Sequence, residues 1–166
     1  AAGRPRRGGL DAATMQLLTF GVGGEPYAIE SRRVVEVLPL VPARSLPQLP
    51  DYLLGLFTYR GSLVPLVELG RRLGVGPAVK RLSTRVIVVA LEGGHRLGLV
   101  AENVIVIRAV DEAAAAVPPL ELDAAPYLGR VLRLGGETVQ LLDVDRLLPA
   151  DLHAGLFPAA AGRSSR

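Results

Sequence analysis

The chain has 166 residues, enough for one ordinary domain or for two small ones that share a core. Its hydrophobic content of 49% supports a buried interior, and the lack of cysteine excludes disulfides, cysteine-ligated metals and a cysteine nucleophile. The formal net charge is +3. Without the five arginines near the two ends, the chain has 19 − 5 = 14 basic and 16 acidic residues, so its body is slightly acidic. A slightly acidic body with 4% aromatic residues argues against nucleic-acid binding. No apolar run approaches the ~18 residues that span a membrane, so we expect a cytoplasmic protein without membrane insertion.

The first half of the chain predicts five strands. Residues 1–13 are rich in glycine and arginine and predict a disordered basic tail. A hairpin and a third strand follow over Met15–Phe20, Tyr27–Ile29 and Val34–Leu40, with a polar break in which Ser31 is an N-cap candidate. Prolines exclude a helix from the next connection. The apolar stretch Leu54–Leu69 then predicts a second hairpin, which the turn Arg60-Gly61-Ser62 closes.

The second half predicts the same order of elements. The strands are Arg85–Leu91, Leu97–Ala101 and Val104–Val110, with a break at Glu102-Asn103. A final hairpin covers Leu128–Val144, and residues 150–166 are assigned to a C-terminal tail.

An internal repeat connects the two halves. Gly23-Gly24 matches Gly93-Gly94 at an offset of about 70 residues, and Leu66–Leu69 matches Leu141–Val144 at an offset of about 75. Short strands with glycine at the corners favour closed barrels, because closure removes exposed sheet edges. We therefore predict an all-β fold of two similar five-stranded small (SH3-like) barrels packed on a shared hydrophobic core, with few short helices. The subdomains would span about 14–80 and 84–149, with exchange of strands between them allowed.

The polar residues do not form a recognisable catalytic set, so we expect a non-enzyme without a cofactor or a metal. Asp145 is interpreted as the N-cap of the last helical turn. An alternative from another class is a metal-dependent hydrolase that uses Glu68, Asp143 and Asp145, because carboxylates can hold a divalent cation.

The hairpin Leu54–Leu69 is the main candidate for a binding surface. Phe57 and Tyr59 point to one side of their strand, and Leu56, Thr58 and Arg60 point to the other. The aromatic pair is either core or an interface contact, since aromatic residues and arginine are enriched at interfaces. Glu36 is a lone acid in an apolar strand, and Arg60 is its expected partner.

The pattern resembles the CheW family of chemotaxis adaptor domains. The resemblance rests on Val34-Val35-Glu36-Val37, on Gly55–Leu69, on Leu97-Gly98-Leu99-Val100, on Tyr127-Leu128-Gly129 and on Leu141–Leu148, in that order and spacing. It covers roughly Met15 to Pro149 and identifies 14–149 as a CheW-like domain.

The resemblance implies a non-catalytic scaffold that links the cytoplasmic tips of chemoreceptors to the regulatory domain of a CheA-type histidine kinase. Other CheW-like domains are further candidate partners. By carry-over, the kinase interface would involve Gly55, Phe57, Tyr59 and Arg60, and the charged pair would be Glu36 and Arg60. A groove for a receptor helix would be lined by Val34, Val37, Val104 and Ile107, since an apolar groove suits an amphipathic helix.

This chain departs from the family pattern at one informative place. The family's usual Asn-Leu-Arg-Gly reads Thr58-Tyr59-Arg60-Gly61 here. A second alternative is therefore a homologue that binds receptors but does not couple the kinase.

Overall fold

A computed structural model describes residues 14–77, 81–111, 116–117 and 125–158, with the backbone alone at 106–108, 111 and 116–117. The described chain is built mainly of strands: β1 (Thr14–Val22), β2 (Glu25–Glu30), β3 (Val34–Pro39), β4 (Leu53–Tyr59), β5 (Ser62–Glu68), β6 (Arg85–Ala90), β7 (Arg96–Asp111), β8 (Ala116–Val117), β9 (Leu128–Leu134) and β10 (Glu137–Leu142). The helices are short: α1 (Leu69–Arg72), α2 (Ala150–Leu156) and two 3₁₀ turns, Ser31–Arg33 and Val144–Arg146.

The strands form two small barrels that share β7. The first barrel has the order β3-β6-β7-β5-β4, and a single bridge between Arg44 and Leu56 brings the chain after β3 against β4. The second barrel has the order β7-β1-β2-β10-β9, with β8 added to β9. Each barrel takes strands from both halves of the sequence. The predicted all-β fold with two five-stranded barrels is confirmed.

Strand pairing follows the repeat. In the first barrel β5 pairs with β7 in parallel, with Leu66 opposite Gly98. In the second barrel β10 pairs with β2 in parallel, with Leu141 opposite Ala28. These pairs are related by the sequence offsets of about 75 and 70, so the two barrels are built on one plan.

Three apolar clusters fill the described part of the molecule. One lies inside the first barrel and includes Phe57, Tyr59 and Val88, and one lies inside the second and includes Leu17 and Leu132. The third and central cluster joins residues of both barrels, among them Leu18, Ile87, Leu99, Tyr127 and Leu147. Burial of this shared apolar surface holds the barrels together.

The predicted break at Glu102-Asn103 is a bend within one long strand. Asn103 has φ +48°, a left-handed conformation that asparagine tolerates better than most residues, and β7 continues on both sides. Residues 96–101 pair with β6, and residues from 102 onward pair with β1. The bend lets one strand serve both barrels.

Helix ends also differ from the sequence-based expectation. Glu30, not Ser31, stands at the N-cap of the first 3₁₀ turn, and it makes no side-chain cap. Asp143, not Asp145, caps the second turn, because its side chain accepts a hydrogen bond from the Asp145 backbone N–H. Residues 150–156, assigned to a tail, form α2, and Leu152, Leu156 and Phe157 pack against the central cluster. None of the helices in the described ranges is long and apolar enough to cross a membrane.

Candidate functional site

The β4–β5 hairpin presents Arg60 at the rim of the first barrel. Its two-residue turn is Arg60-Gly61, with φ of +49° and +82°. Two positive φ angles are typical of the tight turn whose twist matches that of the flanking strands. Arg60 therefore has a fixed backbone, and its side chain is 64% exposed.

Phe57 and Tyr59 face the barrel interior. They are only 4% and 5% exposed, and both belong to the cluster inside the first barrel. The Phe57 ring lies over Gly98, where an added Cβ would come within 2.6 Å of its Cε1 atom. The pair is therefore part of the core. In a partner surface these two rings could act only by supporting the exposed residues of the same hairpin.

Glu36 lies between two donors on β4 and its turn. Its Oε1 atom accepts a hydrogen bond from the Tyr59 hydroxyl at 2.5 Å and one from Arg60 Nη2 at 2.9 Å. The guanidinium groups of Arg60 and Arg96 lie 5.1 and 5.5 Å from the centre of the Tyr59 ring, within cation–π distance. We call Glu36, Tyr59, Arg60 and Arg96 the Glu36 cluster.

The electrostatics of the Glu36 cluster act on the Tyr59 hydroxyl. Its hydrogen bond to Glu36 and its burial raise the pKa of Tyr59 above the ordinary 10.0, while the positive charges of Arg60 and Arg96 oppose that rise. The hydroxyl is a donor at neutral pH, and the carboxylate that accepts from it keeps it protonated.

Gly55 lets the chain after β3 close against β4. It has φ +136°, and a Cβ there would lie 2.1 Å from the carbonyl oxygen of Arg44. Arg44 and Leu56 exchange backbone hydrogen bonds of 2.8 and 2.9 Å at this point. The glycine is buried, so its predicted place at a kinase interface would be a matter of backbone shape and not of side-chain contact.

Leu63 and Arg96 were missed by the sequence analysis. Leu63 lies opposite Thr58 in the hairpin and is 67% exposed, so it adds an apolar group to the outer face of the Arg60 turn. Strand alternation alone could not have indicated Leu63, because it does not show whether Phe57 or its neighbour Thr58, the partner of Leu63, faces outward. Arg96 could not have been found, because only the fold brings β7 to Tyr59.

The predicted groove residues lie on β3 and β7. Val34 and Val104 occupy equivalent positions in the repeat, and both are half-buried against the central cluster. Val37 is 38% exposed on β3. The Ile107 side chain lies outside the described part of the structure, and its neighbour Ile105 is exposed on the same strand.

The three acids of the hydrolase alternative do not lie together, and each of them contacts another group of the chain. Glu68 bonds to Arg71 at 3.0 Å and does not line the cleft of about 420 Å³ that contains Asp143 and Asp145. Asp145 pairs with Arg33 and accepts from the Glu92 N–H at 2.7 Å, while Asp143 caps its turn. No group of three or more His, Asp or Glu side chains in the described ranges could hold a metal ion. These contacts give the hydrolase alternative no support.

Comparison with known proteins places the chain in a family. The model of the CheW-like domain matches residues 16–151, which include nearly all of both barrels. The chain belongs to the CheW-like domain family. The resemblance drawn from its sequence is thereby confirmed.

Similar proteins support the same placement across most of the chain. Protein FrzA of Myxococcus xanthus is 33% identical over 136 residues, which are 80% of this chain and 84% of that protein. The probable chemotaxis protein CheW of Rhizobium etli is 26% identical over 140 residues, 83% of this chain and 90% of that protein. The scaffolding protein TtCheW from Thermoanaerobacter tengcongensis shares the fold, with a TM-score of 0.74 at 23% identity over 82% of this chain and 94% of that one.

Proposed function

We propose that the chain is a non-catalytic adaptor of chemosensory signalling, which couples chemoreceptors to a CheA-type histidine kinase. The observation that carries this proposal is the CheW-like family match over residues 16–151, together with relatives named as chemotaxis proteins. The three acids at the repeat-equivalent turns each have a partner: Glu68 and Asp145 form ion pairs with arginines, and Asp143 caps its turn.

The kinase-facing surface is the outer face of the β4–β5 hairpin. Its exposed groups are Arg60, Thr58 and Leu63, and the buried Phe57 and Tyr59 support them from inside. Arginine beside an exposed apolar side chain is a composition enriched in protein interfaces. The regulatory domain of the kinase is the proposed partner there.

The receptor-facing surface is the region of Val34, Val37 and Val104, with Ile107 further along β7. Apolar side chains from two barrels around a shared core suit the apolar face of an amphipathic helix, which is what a receptor tip offers. Other CheW-like domains are further proposed partners. The adaptor would act in the cytoplasm, recruited to receptor arrays, without nucleic-acid binding or membrane insertion.

A pull-down with two baits tests the proposal. The purified chain is presented to the kinase regulatory domain and, separately, to a receptor signalling fragment. Arg60→Ala should weaken kinase binding about tenfold without unfolding the protein, because an interface arginine commonly contributes that much. Glu36→Arg should weaken binding too, because a third positive charge at this position repels and displaces Arg60. Arg32→Ala is a matched control. Arg32 also forms an exposed ion pair, with Glu30 at 2.7 Å, but this pair does not belong to the hairpin.

The outcomes separate the adaptor from its alternatives. Binding to the receptor fragment without binding to the kinase domain supports the uncoupled homologue. If neither bait retains the wild-type chain, the proposed function is wrong although the fold stands.

A further inference from the structure

The first barrel has a seam between β3 and β4, the two strands at the ends of its pairing order. One backbone bridge, Arg44 to Leu56, brings the chain after β3 to β4. Nearer the hairpin turn, Glu36 of β3 reaches across to Tyr59 and Arg60. Side chains therefore bridge this part of the seam.

The two donors on Glu36 differ in their freedom to move. The Tyr59 ring is 5% exposed inside the barrel, so its hydroxyl is held in place by packing. The Arg60 side chain is 64% exposed and reaches the same carboxylate oxygen from the solvent side. Exposed ion pairs of this kind form and break at little cost.

The charge of the Glu36 cluster is positive. Arg60 pairs with the single carboxylate of the cluster, and Arg96 adds a second positive charge over the Tyr59 ring without forming an ion pair with any residue in the described ranges. A surface with excess positive charge and a mobile guanidinium suits a carboxylate of a partner, which arginine can bind through two parallel hydrogen bonds.

We propose that Tyr59 is a positioning residue that holds the Glu36 carboxylate without help from Arg60, so that Arg60 can leave Glu36 and bind an acidic side chain of the partner protein. The second half of this inference rests on the proposed function, with the kinase regulatory domain as the partner. Without the hydroxyl, the departure of Arg60 would leave the half-buried carboxylate without a protein donor. A hydrogen bond to a charged group corresponds to roughly tenfold or more in an equilibrium constant, so Tyr59 should favour the release of Arg60 by about that factor.

The first half is tested on the protein alone by NMR of tyrosine labelled with ¹³C at Cζ. The chain has four tyrosines, and Tyr59→Phe assigns the Tyr59 signal by removing it. In a titration from about pH 8 to 11, the chemical shift of the Tyr59 signal should change at a higher pH in the wild type than in Glu36→Gln, which lacks the carboxylate that raises the pKa of Tyr59. In Arg60→Ala the change should come at the same pH as in the wild type or at a higher pH, because the hydrogen bond from Tyr59 to Glu36 persists and a positive charge that lowers the pKa of Tyr59 is gone.

One result overturns the positioning role. If Arg60→Ala lowers the pKa of Tyr59 as far as Glu36→Gln does, Arg60 is what holds Glu36 in place, and the inference is wrong. This comparison needs no partner and leaves Tyr59 in place. If Tyr59→Phe fails to fold, Phe variants of Tyr27, Tyr52 and Tyr127 assign the other three signals, and the Tyr59 signal follows by elimination.

The second half is tested with the kinase regulatory domain by calorimetry. Tyr59→Phe should weaken binding about five- to tenfold, while Tyr59→Phe combined with Arg60→Ala should bind no more weakly than Arg60→Ala alone, since Tyr59 acts through Arg60. Tyr27→Phe is the matched control, because it removes a hydroxyl from a half-buried tyrosine of the second barrel. Additive losses from Tyr59 and Arg60 contradict the release of Arg60. If the wild type does not bind, the proposed function and this half fall together, while the titration still decides the first half.

Discussion

Gly55 is the residue at which the backbone of the first barrel tolerates least change. Its φ of +136° and the 2.1 Å approach of a built Cβ to the Arg44 oxygen mean that a side chain would have to displace main-chain atoms. We expect Gly55→Ala to lower the free energy of unfolding by about 2–4 kcal/mol. Chemical denaturation followed by circular dichroism measures this loss.

Gly129 provides the matched control, because it is the repeat-equivalent of Gly55 on β9. Its φ lies outside the left-handed region, and a built Cβ there would lie 3.3 Å from the Leu141 oxygen. Gly129→Ala should therefore cost less, about 1 kcal/mol. Equal losses at the two positions would show that the close approach of Arg44 is not what requires glycine at 55.

The long strand β7 depends on the bend at Asn103. This residue is exposed and has φ +48°, so its backbone conformation matters more than its packing. Asn103→Ala should lower the free energy of unfolding by about 1–2 kcal/mol, the cost of a left-handed conformation for an ordinary residue, whereas Asn103→Gly should stay within about 0.5 kcal/mol of the wild type. Thermal or urea unfolding of the three proteins gives the comparison. If Asn103→Ala lowered the free energy of unfolding less than Asn103→Gly does, the left-handed conformation would not be what limits the residue at this bend.

The elements that the sequence predicted well are those with local signals. The hairpins follow from apolar runs closed by Gly-Gly or Arg-Gly turns, and all of them are present. What the sequence could not show is which side of β4 faces inward, since Phe57 and Thr58 are neighbours on this strand and apolar residues lie on both of its faces. The contacts of Glu36 with Tyr59, and of Asp145 with Arg33, join residues 23 and 112 positions apart, and only the folded chain sets such distances.

At the scale of the whole molecule, the repeat predicted two barrels but not how they are joined. Tyr52 and Tyr127 are repeat-equivalent, and their carbonyl groups accept from the N–H groups of Glu68 and Asp143 at 2.8 Å in both halves. Arg72 breaks this symmetry because it lies over both tyrosine rings, 4.8 and 4.4 Å from their centres. A single guanidinium thus connects the two halves beside the apolar central cluster.

Arg72 should therefore contribute more to stability than an arginine in an exposed ion pair does. Its Nε also donates to the carbonyl of Leu147, and the Tyr127 hydroxyl donates to the backbone carbonyl of Arg72 at 3.4 Å. Arg72→Met keeps an apolar stem but removes the cation and the donor, and we expect it to lower the free energy of unfolding by about 2 kcal/mol from two cation–π contacts and one hydrogen bond. Arg146→Met, which removes only an exposed ion pair to Asp143, should cost less than about 1 kcal/mol. Because the central apolar cluster still joins the barrels, urea unfolding of Arg72→Met should remain one transition with an unchanged slope. Two separate transitions would show instead that Arg72, and not the apolar cluster, makes the barrels unfold together.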